Sequence, residues 1–387
     1  MDTTPAPYLA VVQADLPGAD PDACATVLRA VVRGVEGAGF AAGFGPPPAP
    51  TATYLLGVSA RLLKGPWTPW RDDADDSSRW GRPVRCPASL RAMQAKRDND
   101  FPSFRTDQQR VGHETDLIAL LESADPEQLS RAVREMSGPL GGAVREHRGQ
   151  LRPQGRDPFG FHDGVSNLQD LRAEDPRRYE EHLIHREADL DLEGTYLVFR
   201  RYRLFPQRMR DPVVVPDDRG EQTRTLTPEQ VIGRCRSCGS VLDADTGDHL
   251  PRRAGEAQGA SALRQSHLRK ANPRGRGLTN FGHEVVPPDV RLLRRGYPTS
   301  DPEGLLFLAF QADIQDGGFE FIHNEWLLSD FNGAPDPLLS PEAGLVEPLT
   351  GCYYFVPRAQ RDLGEVLRTL VTSAPVDGFD GLATATT

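Results

Sequence analysis

The first 150 residues spell strand, helix, strand, a long gap, then strand, helix and strand. This order limits the fold more than any other feature. Tyr8 to Ala14 (YLAVVQA) is an apolar run of strand length. Asp20-Pro21 supplies a helix cap and an N1 proline. Cys24, Val27, Leu28, Val31, Val32 and Val35 follow at helical spacing and give one apolar face. The Gly- and Pro-rich run from Gly37 to Pro50 ends that helix, and Thr53 to Leu63 reads as a second strand. An irregular insertion rich in Pro, Asp and Trp fills residues 65–112. Thr115 to Leu121 is a third strand, and Asp125-Pro126 opens a helix running to about Met136. A last strand falls near residues 144–152. This is the split βαβ pattern of a ferredoxin-like unit.

The second half repeats the idea loosely. Thr195 to Leu204 is a strand, Thr227-Pro228 starts a short helix, and a loop-rich region runs to about residue 288. Val290 to Arg295 and Leu305 to Gln311 read as strands, and Phe319 to Leu328 as a helix. Cys352 to Val356 is a strand, followed by an amphipathic helix from Arg358 to about Val371. Asp377 to Thr387 reads as a disordered tail. Strands and helices lack the regular alternation of a doubly wound sheet, so the class is α+β with two related halves. A length of 387 residues suits two or three domains at roughly 150 residues each, or one large one.

Charge excludes one class of function. Asp and Glu (55) outnumber Lys and Arg (45), a net charge of −10, and a sequence-independent nucleic-acid grip needs a basic face. No stretch approaches the ~20 apolar residues that span a bilayer. The first residues carry no basic, apolar leader pattern. Five cysteines are too few and too odd in number for a disulfide framework. These features lead us to expect a soluble, cytoplasmic protein. Only Lys64, Lys96 and Lys270 among the basic residues are lysine, so an arginine is ordinary in this chain.

Three segments stand out chemically. In GRDPFGFHDGVSNLQ (Gly155 to Gln169), glycines let the backbone approach something flat or bulky. Asp163, beside Phe159 and Phe161, fits either a proton-shuttling carboxylate or a plain Asp-Gly turn. In SHLRKANPRGRG (Ser266 to Gly277), His267 has Arg264, Arg269, Lys270 and Arg274 around it. It fits a haem axial ligand with arginines for propionates, or a basic surface helix end. In VRLLRRGYP (Val290 to Pro298), alternation sends Arg294 and Arg295 to opposite faces. At most one is expected to point inward, and an inward arginine needs an anion or a polar cavity; otherwise the strand simply ends in solvent.

Taken together, the three segments resemble the dye-decolorising peroxidase family of haem peroxidases. Gly160-Phe161-His162-Asp163-Gly164 matches that family's GxxDG motif, with Asn167 following. His267 in HLRKANPR stands where the proximal haem ligand stands, and Arg294 where the distal arginine stands. GLLFLAFQAD and DFNGAPDPLL (Asp330 to Leu339) are also typical. The resemblance runs from about Tyr8 to Val371.

The resemblance implies two ferredoxin-like halves with antiparallel sheets, like a dimeric α+β barrel, and haem b in the C-terminal half. Residues 1–175 would carry the distal GxxDG loop, with Gly164 and Asn167 beside the cofactor, and residues 176–387 would bind haem. His267 would ligate the iron and donate its other nitrogen to a carboxylate. Asp336 is the candidate, with Asp313 second. Arg269 and Arg274 would pair with propionates; His162 would reach a propionate or solvent. Asp163 would move the proton that lets water leave hydrogen peroxide, and, near an ordinary pKa of ~3.9, would stay ionised at low pH. Arg294 would stabilise the growing negative charge. The implied activity is peroxide reduction coupled to oxidation of an aromatic or dye-like donor through a ferryl porphyrin radical. Members often associate, so a homo-oligomer is expected.

Two other readings share these residues: a haem enzyme dedicated to one biosynthetic oxidation, and a non-catalytic haem-binding or delivery protein. The second needs only the ligand, whereas this chain has all of Asp163, Arg294 and His267. Leu306, Phe307 and Leu308 could line the pocket or form a core strand. Cys235-Arg-Ser-Cys238 looks like half a zinc knuckle; a structural zinc needs about four ligands, and no second CxxC exists. Trp67, Trp70, Trp80 and Trp326 fit either electron relay or packing.

Overall fold

A computed structural model describes residues 5–16, 21–44, 52–59, 115–142, 144–162, 169–187, 192–210, 212–216, 223–242, 249–250, 265–273, 278–280, 283–284, 289–314, 317–329, 331, 334–360 and 362–372. The 65–112 insertion, with Trp67, Trp70 and Trp80, and the tail from Asp377 lie outside the described residues. So do Asp163, Gly164, Asn167, Arg264 and Arg274.

The core is one antiparallel sheet built twice over from the same pattern. Its main strands are β1 (Tyr8–Ala14), β2 (Ala52–Val58), β3 (Leu117–Ser123), β4 (Val144–Gln150), β5 (Leu192–Leu204), β6 (Leu293–Ser300), β7 (Glu303–Gln311) and β8 (Val346–Pro357). Their order is β6-β7-β5-β8-β2-β3-β1-β4, with short strands Ala41–Ala42 and His185–Glu187 pairing with β2 and β5. In each half the strands run in the order second, third, first, fourth. That is the ferredoxin-like order, and it occurs twice. The halves join where Phe355 of β8 pairs with Val58 of β2. The free edges also approach each other: a Cβ on Gly149 of β4 would lie 3.3 Å from the Tyr297 carbonyl of β6. The sheet therefore curls toward a barrel.

Burial on both faces explains the nearly unbroken apolar strands. Leu9, Val11 and Ile118 from one half meet Phe199, Leu308 and Tyr354 from the other on the inner face. On the outer face of the first half, Val12, Leu56 and Ala119 pack under α1 (Pro21–Gly37) and α2 (Pro126–Leu140). Cys24, Leu28, Val31, Val32 and Val35 of α1 are buried as the helical spacing predicts, and Val27 is partly buried against them. Helix α2 starts where expected. The Asp125 carboxylate accepts the Glu127 N–H at 2.8 Å, Pro126 follows, and Gly141 closes the helix at φ 63°.

Among the elements that differ from the sequence reading, two bear on the site. Strand β6 covers Leu293–Ser300 rather than Val290 to Arg295. Gly296 and Pro298 look like stop signals, but β6 is an edge strand, where a missing N–H costs no ladder bond. The expected helix at Phe319 to Leu328 is one α turn, Phe319–Phe321, running into a π-helix at Ile322–Leu327.

Candidate active site

His267 opens α3 (His267–Ala271), a single turn whose start is fixed by the Ser266 carbonyl accepting the N–H groups of Arg269 and Lys270, both at 3.0 Å. Its Nδ1 lies 2.7 Å from Oδ2 of Asp336. A carboxylate accepts, so Nδ1 donates, and Nε2 is the ring nitrogen left for another partner. Nε2 makes no hydrogen bond among the described residues.

Asp336 is fully buried at its side chain, while the His267 side chain is 31% exposed. The acid is fixed by its own turn. Oδ1 accepts the Leu338 N–H at 2.8 Å, and the Asp336 N–H donates to the Leu327 carbonyl at 2.8 Å. Lys270 ties the same loop to α3. Its buried ammonium donates to the carbonyls of Ser329 at 3.1 Å, Phe331 at 2.5 Å and Ala334 at 2.6 Å. Three carbonyls together offset much of the cost of burying that charge. The second candidate acid, Asp313, acts instead on His185, whose charged form it favours.

His267 and Arg294 line one cavity of about 280 Å³ on the outer face of the second half. Leu268, Leu305, Phe307, Ile322, Leu327 and Leu339 supply apolar wall. Among the described residues, the charged lining is Arg234, Arg291, Arg294 and one acid, Asp157. A net positive lining in an acidic chain favours an anionic ligand. The π-turn contributes His323, stacked on Phe319 at 5.3 Å and 15°; π-turns inside helices are frequent at functional sites. Buried Arg200 sits over the Phe319 ring at 4.5 Å.

The segment leading to the GxxDG aspartate is a tight turn. The Phe161 N–H donates to the Asp157 carboxylate at 2.9 Å, and the Gly160 N–H to the Asp157 carbonyl at 3.0 Å. Gly160 has φ 88°, a conformation that favours glycine. Phe161 and His162 reach the cavity wall. Asp163 follows immediately in the chain but lies outside the described residues.

Several expectations are corrected by strand and helix phase. Both adjacent arginines are enclosed, on opposite faces. Arg294 faces the cavity, while Arg295 is buried inside the barrel against Glu122. The strand therefore does not end in solvent, and two inward arginines are tolerated because each has its own polar setting. Arg269 does not line the cavity. It is buried two residues on from His267, on the other side of the turn, whereas Leu268, Ala271 and Asn272 share the cavity with His267. Of the three strand candidates, Phe307 lines the cavity. Leu306 and Leu308 point into the barrel, and Leu305 takes a lining place instead. Trp326 is core, stacked near Phe331 at 5.9 Å. Arg234, Arg291, Asn272 and His323 were missed. Only residue phase could have singled out Asn272, and nothing in the sequence marks the two arginines among so many.

Residues 154–361 match the family model described as Dyp-type peroxidase, C-terminal. A dye-decolorizing peroxidase of Mycetinis scorodonius is 26% identical over 281 residues, 56% of this chain and 52% of that protein. The match thus spans about half the length of that curated relative. Among solved structures, a DyP-type peroxidase from Cellulomonas bogoriensis superposes with a TM-score of 0.59 at 21% identity, covering 94% of each chain. Ferric DtpA from Streptomyces lividans gives 0.59 at 20% identity and the same coverage. DyPB from Rhodococcus jostii RHA1 gives 0.56 at 19%, covering 94% of this chain and 96% of that one.

Proposed function

Because the chain belongs to the Dyp-type peroxidase family, we propose that it is a haem-dependent peroxidase that reduces hydrogen peroxide and oxidises an aromatic or dye-like electron donor. The observation that carries this reading is the pairing of His267, locked by buried Asp336, with Arg294 in one apolar, positively lined cavity. A related Rhodococcus jostii variant is described in complex with heme. The donor set here fits that group: a neutral imidazole for iron, apolar walls for the ring, and guanidinium groups for its carboxylates.

In this reading haem b binds in the C-terminal half, residues 176–387, and residues 1–175 bring the Gly160–Gly164 segment to it. His267 would hold the iron, and Asp336 would raise the basicity of its ring. Arg234 and Arg291 are better placed than Arg269 for the propionates. Arg274, Asn167 and Gly164 remain candidates beside the cofactor. When bound, haem would supply the redox chemistry between hydrogen peroxide and a one-electron donor.

The protein's own part is charge and proton control. Asp163 takes the proton from one peroxide oxygen and returns it to the other, so that water leaves. Arg294 stabilises the negative charge on the departing oxygen. Leu305, Phe307 and Ile322 keep bulk water from that charge. No helix among the described residues is long and apolar enough to cross a membrane.

The test is peroxide-dependent oxidation of a dye by the haem-loaded chain and by Arg294→Leu. The variant should lose about 10²–10³-fold in kcat, the usual effect of removing one charge-stabilising donor. Absence of any wild-type turnover would refute the reading in favour of a haem carrier.

A further inference from the structure

Cys235 and Cys238 have no part in that chemistry. They lie in one closed turn after the short helix Pro228–Ile232. The Gly239 N–H donates to the Cys235 carbonyl at 2.9 Å, and the Cys235 N–H to the Ser240 carbonyl at 2.8 Å. The Cys238 N–H reaches Cys235 Sγ at 3.4 Å, and the Ser237 hydroxyl lies 3.1 Å from the same sulfur. Residues three apart in such a turn have Cα atoms within about 7 Å, the span that a disulfide bridges. Cys235 is buried and Cys238 half-buried, so a small oxidant can reach the pair from one side. Burial raises the Cys235 thiol. Hydrogen bonds from Ser237 and Cys238 outweigh this and bring it down to about 6. Among the described residues, no group of three or more His, Cys, Asp or Glu side chains is arranged to hold a metal.

The turn is also wired to the cavity wall. One guanidinium, that of Arg156, donates to the carbonyls of Gly160 at 2.6 Å, Arg236 at 2.7 Å and Ser237 at 3.2 Å. Arg236 lies over the Phe161 ring at 5.0 Å, and a Cβ on Gly239 would come 3.1 Å from the His162 ring. Phe161 and His162 line the cavity and lead directly into Asp163.

We propose that Cys235 and Cys238 are a peroxide-oxidised dithiol, closing to a disulfide in the turn that braces Gly160, Phe161 and His162. The Cys235 thiolate attacks one oxygen of hydrogen peroxide. The O–O bond breaks, Cys235 becomes a sulfenic acid, and hydroxide leaves and is protonated to water. Cys238 sulfur then attacks Cys235 sulfur; the S–S bond forms, the S–O bond breaks, and the second water leaves with the Cys238 proton. The two thiols give up two electrons, and peroxide takes both. The step needs peroxide alone and does not rest on the proposed turnover.

The experiment treats the reduced full-length chain with hydrogen peroxide and reads mass and thiol content. Wild type should lose two thiols and about two daltons, mapped to Cys235 and Cys238, while buried Cys24 and Cys352 stay reduced. Cys238→Ser should stop at a dimedone-reactive Cys235 sulfenic acid, about sixteen daltons heavier. Cys235→Ser should keep Cys238 as a thiol under the same treatment. His267→Ala should form the same disulfide as wild type, which separates this step from turnover. Retention of both thiols in wild type, equal oxidation of the two single-cysteine variants, or loss of the disulfide in His267→Ala would overturn the proposal. So would one zinc per chain that Cys235→Ser removes.

Discussion

His267 and Asp336 are 69 residues apart in sequence and 2.7 Å apart in space. Their bond decides the tautomer of the ring, and a buried acid held from both oxygens has no alternative partner to turn to. Asp336→Asn should therefore lower haem affinity by about 10–100-fold, read by titrating haem into the chain and following its absorbance. An unchanged affinity would show that the acid only packs. Both residues, and Arg294, were legible because they sit in unusual local strings that resemble a known family. Arg234 and Arg291 were not. Arginine is nearly the only basic residue this chain uses, so an arginine's identity carries little information; its place on a cavity wall does. Asp336 was preferred over Asp313 on resemblance, and its contact with His267 agrees.

At the level of elements, strand phase carries most of the information. Strand β6 sends Arg294 to the cavity and Arg295 into the barrel, where it meets Glu122 of β3 with both side chains at most 6% exposed. Burial opposes the Arg295 charge, but Glu122 more than restores it, so the guanidinium is held firmly protonated. Removing one partner strands a buried charge. Glu122→Leu or Arg295→Met alone should cost about 3–5 kcal/mol in urea unfolding, and the double variant should regain most of the loss. Additive losses would mean that the two side chains do not act as a pair. Alternation predicted the opposite faces of the two arginines but not that both faces are enclosed. That depends on a second half of the chain, which local sequence does not announce. The β6 boundaries slipped for a related reason. Gly and Pro signal a break only if the strand has two neighbours, and edge position is a property of the sheet. The π-turn at Ile322–Leu327 has the same apolar spacing as a short α-helix, so periodicity could not distinguish them.

Over the whole molecule, the β-α-β, β-α-β order of the first half was readable because its helices are long and strongly amphipathic. The second half was harder, since its site is built from short turns: α3, the Asp336 loop and the π-turn. These are stabilised by their contacts with one another, not by their own propensity. The doubled ferredoxin-like order nevertheless emerges from both halves and gives one barrel-like sheet, with the cavity on the outer face of the second half. The account stands on the claim that this cavity holds haem through His267. The most direct test is the visible spectrum of the haem-loaded chain beside that of His267→Ala. The account predicts a Soret band in wild type whose position and intensity change, with haem readily lost, in the variant. An identical band with identical coordination in His267→Ala would contradict it.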